Sequence, residues 1–242
     1  MEHGPACVSR ETATEQAWRT IAAGAADVAP TQLDRLARLV ALVCATPVGV
    51  TAIRDPAEAS KRHVLDALTG LAAVDAAPQG PLADVGSGGG LPGLVIAIMR
   101  PERCVHLIEA TARKAAFIAE AATALGLMVE VHAQRSEDVA RGPLRDTFTC
   151  VVARALAPPA IAAELCLPLC RCGGRVVLWS REQATEELEF AAGALGGAVL
   201  PPEASGVLVI GKLAATPARF PRRPGMAAKR PLRAAGSDRP PR

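Results

Sequence analysis

Apolar positions along the chain follow two different periods. From about Thr14 to Leu71 they recur three to four apart, as at Leu33, Leu36, Leu39, Val40 and Val43, behind a Pro30-Thr31 start signal. A second helix is expected to begin at Pro56 and to run through Val64, Leu65 and Leu68. Residues 1–75 therefore read as a helical N-terminal cap.

Beyond the break Ala76-Ala77-Pro78-Gln79-Gly80-Pro81 the pattern changes to short apolar runs separated by helical stretches, as a parallel α/β fold requires. Strands are expected at Leu82–Val85, Val105–Glu109, Met128–Ala133, Cys150–Arg154, Arg175–Trp179, Ala198–Leu200 and Val207–Leu213. Helices are expected at Leu94–Met99, Thr111–Leu125, Pro159–Leu169 and Glu182–Leu195. The last two strands are joined by Pro201-Pro202-Glu203-Ala204-Ser205-Gly206 with no helix between them, so they should form an antiparallel hairpin at one sheet edge. This catalytic unit spans 76–213, and 214–242 reads as a basic tail, partly disordered.

Charge sharpens that division. The net charge of +3 conceals a segment, Ala214 to Arg242, with eight basic residues against Asp238 alone. The tail thus carries +7 and the remainder −4, an asymmetry suited to a polyanionic partner or to solubility. The start, Met1-Glu2-His3-Gly4-Pro5, leads into no apolar run, and no stretch approaches the ~18 apolar residues of a membrane span. A soluble cytoplasmic protein is expected, without membrane contact. Among the seven cysteines, Cys166, Cys170 and Cys172 match no zinc spacing and have no nearby His, so they read as small core hydrophobes and no metal is expected.

Candidate chemistry begins at the first strand's end, in Asp84-Val85-Gly86-Ser87-Gly88-Gly89-Gly90. Such glycines let the backbone approach a ligand at the start of a helix, a geometry suited to any adenosine cofactor. Gly88-Gly89-Gly90-Leu91-Pro92-Gly93 also satisfies the dinucleotide pattern G-x-G-x-x-G, with Glu109 where a ribose-binding carboxylate would stand. A nicotinamide oxidoreductase is therefore a rival reading. Against it, Asp84 favours a cationic sulfonium and amino group over a pyrophosphate, Pro92 removes an N–H from the first turn, and tyrosine is absent from the chain.

Other candidates have two readings each. Glu109 is a ribose ligand or a helix N-terminal charge; Ser136 and Glu137 contact an adenine or cap a helix. Arg154 sits on the same rim, as a site residue or an ion-pair partner. His63 and Asp66, three apart, form an acid/base pair or a helix-surface contact.

With Asp84-Val85-Gly86-Ser87-Gly88-Gly89-Gly90-Leu91-Pro92-Gly93 in hand, the chain resembles the bacterial small-subunit ribosomal RNA guanine-N7 methyltransferases, the glucose-inhibited division protein B family. Further matches are Thr51-Ala52-Ile53-Arg54-Asp55-Pro56, Arg62-His63-Val64-Leu65-Asp66, Ala153-Arg154-Ala155 and Arg219-Phe220-Pro221-Arg222-Arg223-Pro224-Gly225 with Lys229. The resemblance spans roughly Leu33 to Leu232. It departs at Gly49-Val50, Ala67, Cys172-Gly173-Gly174 and Trp179-Ser180-Arg181.

The resemblance implies a class I S-adenosylmethionine-dependent methyltransferase, Rossmann-like, with a mostly parallel seven-stranded sheet ending in an antiparallel hairpin. It implies S-adenosyl-L-methionine as donor, held by Asp84, Gly86, Gly88, Gly90, Leu91, Glu109, Ser136, Glu137 and Arg154. It implies methylation of N7 of a guanine in the 530 loop of 16S ribosomal RNA, position 527 in the usual rRNA numbering, on free RNA or the small ribosomal subunit, by a monomer. Guanine N7 has a free lone pair, so transfer needs in-line placement and no strong base. Arg54, His63 and Asp66 are then expected on the substrate side, and Arg219, Phe220, Arg222, Arg223 and Lys229 on the RNA. Phe220 either stacks on RNA or anchors the tail. A non-catalytic RNA-binding or regulatory protein is the third reading.

Overall fold

The computed structural model describes residues 10–25, 27–201 and 206–233. The turn residues 202–205, Cys7, and Asp238, Arg239 and Arg242 of the tail lie outside them. Helices α1 (Arg10–Gly24) and α2 (Pro30–Ala45) precede a continuous helical stretch in three pieces: α3 (Pro56–Ala59), a wider π-helical turn (Ser60–Leu65) and α4 (Asp66–Leu68). Then follow α5 (Leu71–Asp75), β1 (Leu82–Val85), α6 (Gly93–Met99), β2 (Val105–Ile108), α7 (Ala112–Leu125), β3 (Val129–His132) and α8 (Ser136–Val139). The chain continues through β4 (Phe148–Arg154), α9 (Pro159–Cys166), β5 (Cys170–Trp179), α10 (Glu186–Ala194), β6 (Gly197–Leu200), β7 (Val207–Lys212) and α11 (Met226–Lys229).

The seven strands lie in the order β3-β2-β1-β4-β5-β7-β6. Strands β1 to β5 are parallel, and β7 runs antiparallel to both β5 and β6. The order reverses between β1 and β4, which opens a crevice at their carboxyl ends, the usual ligand position in such sheets. Strand alternation feeds two cores. Leu82, Leu107, Val152 and Val177 face α2, α6 and α7, while Val85, Ile108, Ala153 and Leu178 face α9 and α10. The N-terminal helices join the first core through Ile21, Leu36 and Val40, so cap and sheet share one interior.

Three boundaries differ from expectation by three residues or more. Helix α9 stops at Cys166 and β5 starts at Cys170, because the Arg171–Gly174 stretch makes a bulge: Phe148 pairs with Cys170, but Cys150 pairs with Arg175. Cys172 sits on that bulge and is exposed, correcting its reading as a core residue; Cys166 and Cys170 are buried as expected. Helix α10 starts at Glu186 because Thr185 caps it, its side chain accepting the N–H of Leu188.

Candidate active site

The glycine turn is shaped by its neighbours. Gly86 has φ +71°, and a Cβ there would stand 2.5 Å from Leu156 Cδ1. At Gly93 a Cβ would stand 2.7 Å from Asp84 Oδ2, so a side chain there would break the contact that organises the turn. That contact is the Gly93 N–H donating to Asp84 Oδ2 at 2.9 Å. The first N–H of α6 thus points at a carboxylate, not at an anion site, which counts against a pyrophosphate.

Asp84 is fully buried, and burial raises its carboxyl pKa to about 7 against the bond from Gly93. Its other oxygen, Oδ1, has no hydrogen-bond partner. A buried acceptor left open beside a glycine turn fits a cationic donor molecule. Glu109 is also buried; Oε2 accepts from the Gly88 N–H at 2.9 Å and Oε1 from the Thr111 N–H at 2.7 Å. It ties the glycine turn to the start of α7, as the reading of a helix N-terminal charge expects.

Three clefts adjoin along the carboxyl rim. The first, about 220 Å³, is bounded by Gly86, Ala110, Ser136, Glu137 and Leu156. Its far wall is the tail, through Gly225, Ala227 and Ala228. The second, about 340 Å³, shares Leu156 and Ala157 with the first. The third, about 710 Å³, shares Ala155, Trp179 and Ser180 with the second and is lined by Lys61, Arg62, His63, Asp66, Arg154 and Arg181. Four cations against one carboxylate make it an anion-attracting mouth. Ala155, between the clefts, has φ +52°, a left-handed conformation that costs an alanine roughly 1–2 kcal/mol.

Arg154 ends β4 and donates to Asp66 Oδ2 at 3.1 Å and to the carbonyls of Arg62 and His63. His63 shares a 2.9 Å hydrogen bond with Thr51 Oγ1. Its pKa is lowered by burial and then by Arg154, which keeps the ring neutral at pH 7. His63 and Asp66 therefore lie together as expected, and Arg154, expected among the donor residues, lines the third cleft with them and not the first. Arg54 does not join them: its guanidinium caps the carbonyls of Cys44 and Thr46 at the end of α2, at 2.9 and 2.8 Å.

The described part of the tail is laid against α8, α9 and the segment between α8 and β4. Arg145 holds the carbonyls of Thr216 and Phe220, each at 2.7 Å, and Arg141 holds that of Pro221 at 3.0 Å. Arg222 pairs with the buried Glu164, Nε to Oε1 at 2.7 Å and Nη2 to Oε2. Gly225 N–H donates to Glu137 Oε1 at 3.0 Å. Phe220 is buried in the second core, so it anchors the tail and presents no stacking face; Arg222 is likewise a structural tie. Both readings as RNA contacts are corrected. Arg219, Arg223 and Lys229 remain exposed, with Arg219 over the Phe220 ring at 5.0 Å.

Sequence reasoning missed Thr51, Lys61, Arg181 and Gly225. Thr51 and Gly225 fell within the quoted motifs, but their partners lie far along the chain. Lys61 and Arg181 carry no local signal beyond charge.

A model of the family described as rRNA small subunit methyltransferase G (GidB) matches residues 31–195. The chain belongs to that family. The Ribosomal RNA small subunit methyltransferase G of Pelotomaculum thermopropionicum is 41% identical over 199 residues, covering 76% of this chain and 83% of the relative. That of Roseiflexus sp. is 41% identical over 216 residues, covering 83% and 92%. A solved structure of a mutant of MtNAS shares the fold at TM-score 0.50 and 15% identity, over 84% of this chain and 87% of that one. This chain is an S-adenosylmethionine-dependent methyltransferase of class I, and the nicotinamide reading falls.

Proposed function

We propose that this enzyme transfers the methyl group of S-adenosylmethionine to N7 of a guanine in the 530 loop of 16S ribosomal RNA, position 527 in the usual numbering. Family membership supports the reaction class and the acceptor. The observation that carries the reading is the row of adjoining clefts. The one against Glu137 is walled by glycine, serine and aliphatic groups, and the one at Arg154 is basic.

The donor supplies an electrophilic methyl on a sulfonium. On this chain Gly86, Gly88, Gly90 and Leu91 would cradle it, with Asp84 and Glu109 supplying negative charge and Ser136 and Glu137 bounding its adenine end. Arg154 stands between donor and acceptor, and its bonds to α3–α4 hold the cap against the rim. Neutral His63 would orient the base by hydrogen bonding and remove no proton. Lys61, Arg62 and Arg181 at the mouth, with Arg219, Arg223 and Lys229 on the tail, would meet phosphates.

One chain furnishes all three clefts, which supports a working monomer. Among the described residues no helix is long and apolar enough to cross a membrane, which accords with action on small subunits in the cytoplasm. The test is transfer from labelled S-adenosylmethionine to small-subunit particles from unmethylated cells, with the modified base mapped. Label at another base or none would refute it, and donor binding without transfer would favour a regulatory role.

A further inference from the structure

The second cleft differs in character from the two it joins. Its lining is mostly apolar, with Leu156, Pro158, Pro159 and Trp179 the largest groups, and its polar side chains are Ser180 and Glu182. Trp179 commits its one polar side-chain atom to the cap, where Nε1–H donates to the Asp66 carbonyl at 3.0 Å. It has only carbon left to offer the cleft. The volume of about 340 Å³ is near the lower end of the roughly 300–1,000 Å³ of small-molecule sites, which suits one extruded base.

Three carboxylates line the row of clefts, and two are engaged. Glu137 accepts the Gly225 N–H, and Asp66 accepts from Arg154. Glu182 is exposed, and its carboxylate has no hydrogen-bond or ion-pair partner among the described residues. A tight turn keeps it beside Ser180: the Glu182 N–H donates to Ser180 Oγ at 3.1 Å, and the Ser180 N–H donates to the Gly206 carbonyl at 3.0 Å. Ser180 Oγ thus accepts one bond, and its own hydrogen remains to be donated.

This pair complements one edge of guanine. The Watson–Crick edge presents the O6 acceptor, then the N1–H donor, then the N2 amino donor. A carboxylate can accept from N1–H and N2–H together while a hydroxyl donates to O6. N7 lies on the neighbouring edge and keeps its lone pair. Adenine carries a bare nitrogen at N1, which would meet the carboxylate acceptor to acceptor.

We propose that the second cleft seats the target guanine, with Glu182 holding N1–H and N2–H and Ser180 donating to O6. The assignment rests on the guanine-N7 reading and adds how the base is chosen. Enzymes that act on a base commonly extrude it into such a pocket and read this edge between apolar side chains. N7 then faces the Leu156–Ala157 wall shared with the first cleft, and the sugar and phosphates stay over the basic third cleft. As the S–CH3 bond breaks and the N7–CH3 bond forms, positive charge passes from sulfur to the purine and no proton moves. The N1–H becomes a stronger hydrogen-bond donor, so the Glu182 contact tightens in the transition state and acts on kcat.

The test pairs a protein change with a base change. Small-subunit particles are rebuilt on 16S rRNA carrying guanine or inosine at the target position, inosine lacking only the N2 amino group. Transfer from labelled S-adenosylmethionine is then followed with the parent enzyme, E182A and E182Q. Inosine should slow the parent about tenfold or more, and E182A should lose about as much on guanine, chiefly in kcat. Inosine should cost E182A little further, because the bond is already gone. E182Q, with one acceptor oxygen, should fall between. Glu182 is exposed, so E182A should keep the parent's Tm and its affinities for S-adenosylhomocysteine and for particles. Parent-like turnover in E182A, no effect of inosine on the parent, or additive losses would overturn the seat and leave the guanine-N7 reading standing. Absence of label at that guanine with the parent enzyme would overturn the reading itself, and this assignment with it.

Discussion

Arg154 at the end of β4 meets Asp66 of the cap at 3.1 Å, and the same nitrogen reaches two carbonyls of the π-helical turn. Asp66 is partly exposed, so the ion pair itself is worth little; the two added bonds to the Arg62 and His63 carbonyls make the larger contribution. R154A should cost about 1–3 kcal/mol in urea unfolding and lower methyl transfer at least tenfold. D66N, which keeps the carbonyl bonds, should do less on both. Equal losses in the two variants would show that the carboxylate is the important partner.

The tail wall of the first cleft predicts a coupling between RNA arm and donor. Removing residues 214–242 deletes Gly225, whose N–H holds Glu137, and the alanines facing the pocket. Calorimetry with S-adenosylhomocysteine should find donor binding weakened about tenfold or more, roughly the 1.4 kcal/mol equivalent of one lost wall contact. Unchanged affinity would detach the tail from the donor site.

Two classes of tail substitution should separate. F220A empties a buried ring site and should destabilise by about 3–5 kcal/mol. R219A, R223A and K229A together should leave Tm within a degree or two but flatten the salt dependence of RNA binding. A salt slope unmoved by the triple variant would place the phosphates elsewhere.

Asp84 gives a pH signature. Its carboxyl titrates near pH 7 in the fold and near 3.9 when unfolded, so its contribution to stability is full below about pH 4 and is lost as pH rises through 7. A cationic donor favours the ionised form, so S-adenosylmethionine should bind more tightly as pH rises from 5.5 to 7.5. D84N can still accept from Gly93 and should flatten both profiles. A flat profile in the parent chain would remove Asp84 from the donor site.

Leu188 and Gly93 illustrate what the sequence could and could not disclose. All seven strands were legible from short segments rich in Val, Leu and Ile, continuous as in β7 or alternating as in β3, set between helical stretches and turns. Once the strands were placed, Asp84, Glu109 and Arg154 fell on one rim, because parallel strands all end there. Helix starts were less legible: Leu188 lies in α10, but the Thr185 cap that truncates it competes with no stronger local pattern. The fate of the second oxygen of Asp84, and the captures of Arg54, Arg222 and Phe220, depended on where the chain returns. Gly225 meets Glu137 across 88 residues, a contact no local period encodes.

That return has a consequence in time. Gly225, Ala227 and Ala228 follow every strand in the chain, yet they form part of one wall of the first cleft. The sheet's own pairing does not require them, whereas that cleft is complete only once the segment beyond β7 has docked and Gly225 has met Glu137. Closing the cleft is thus a later event than building the sheet that carries it.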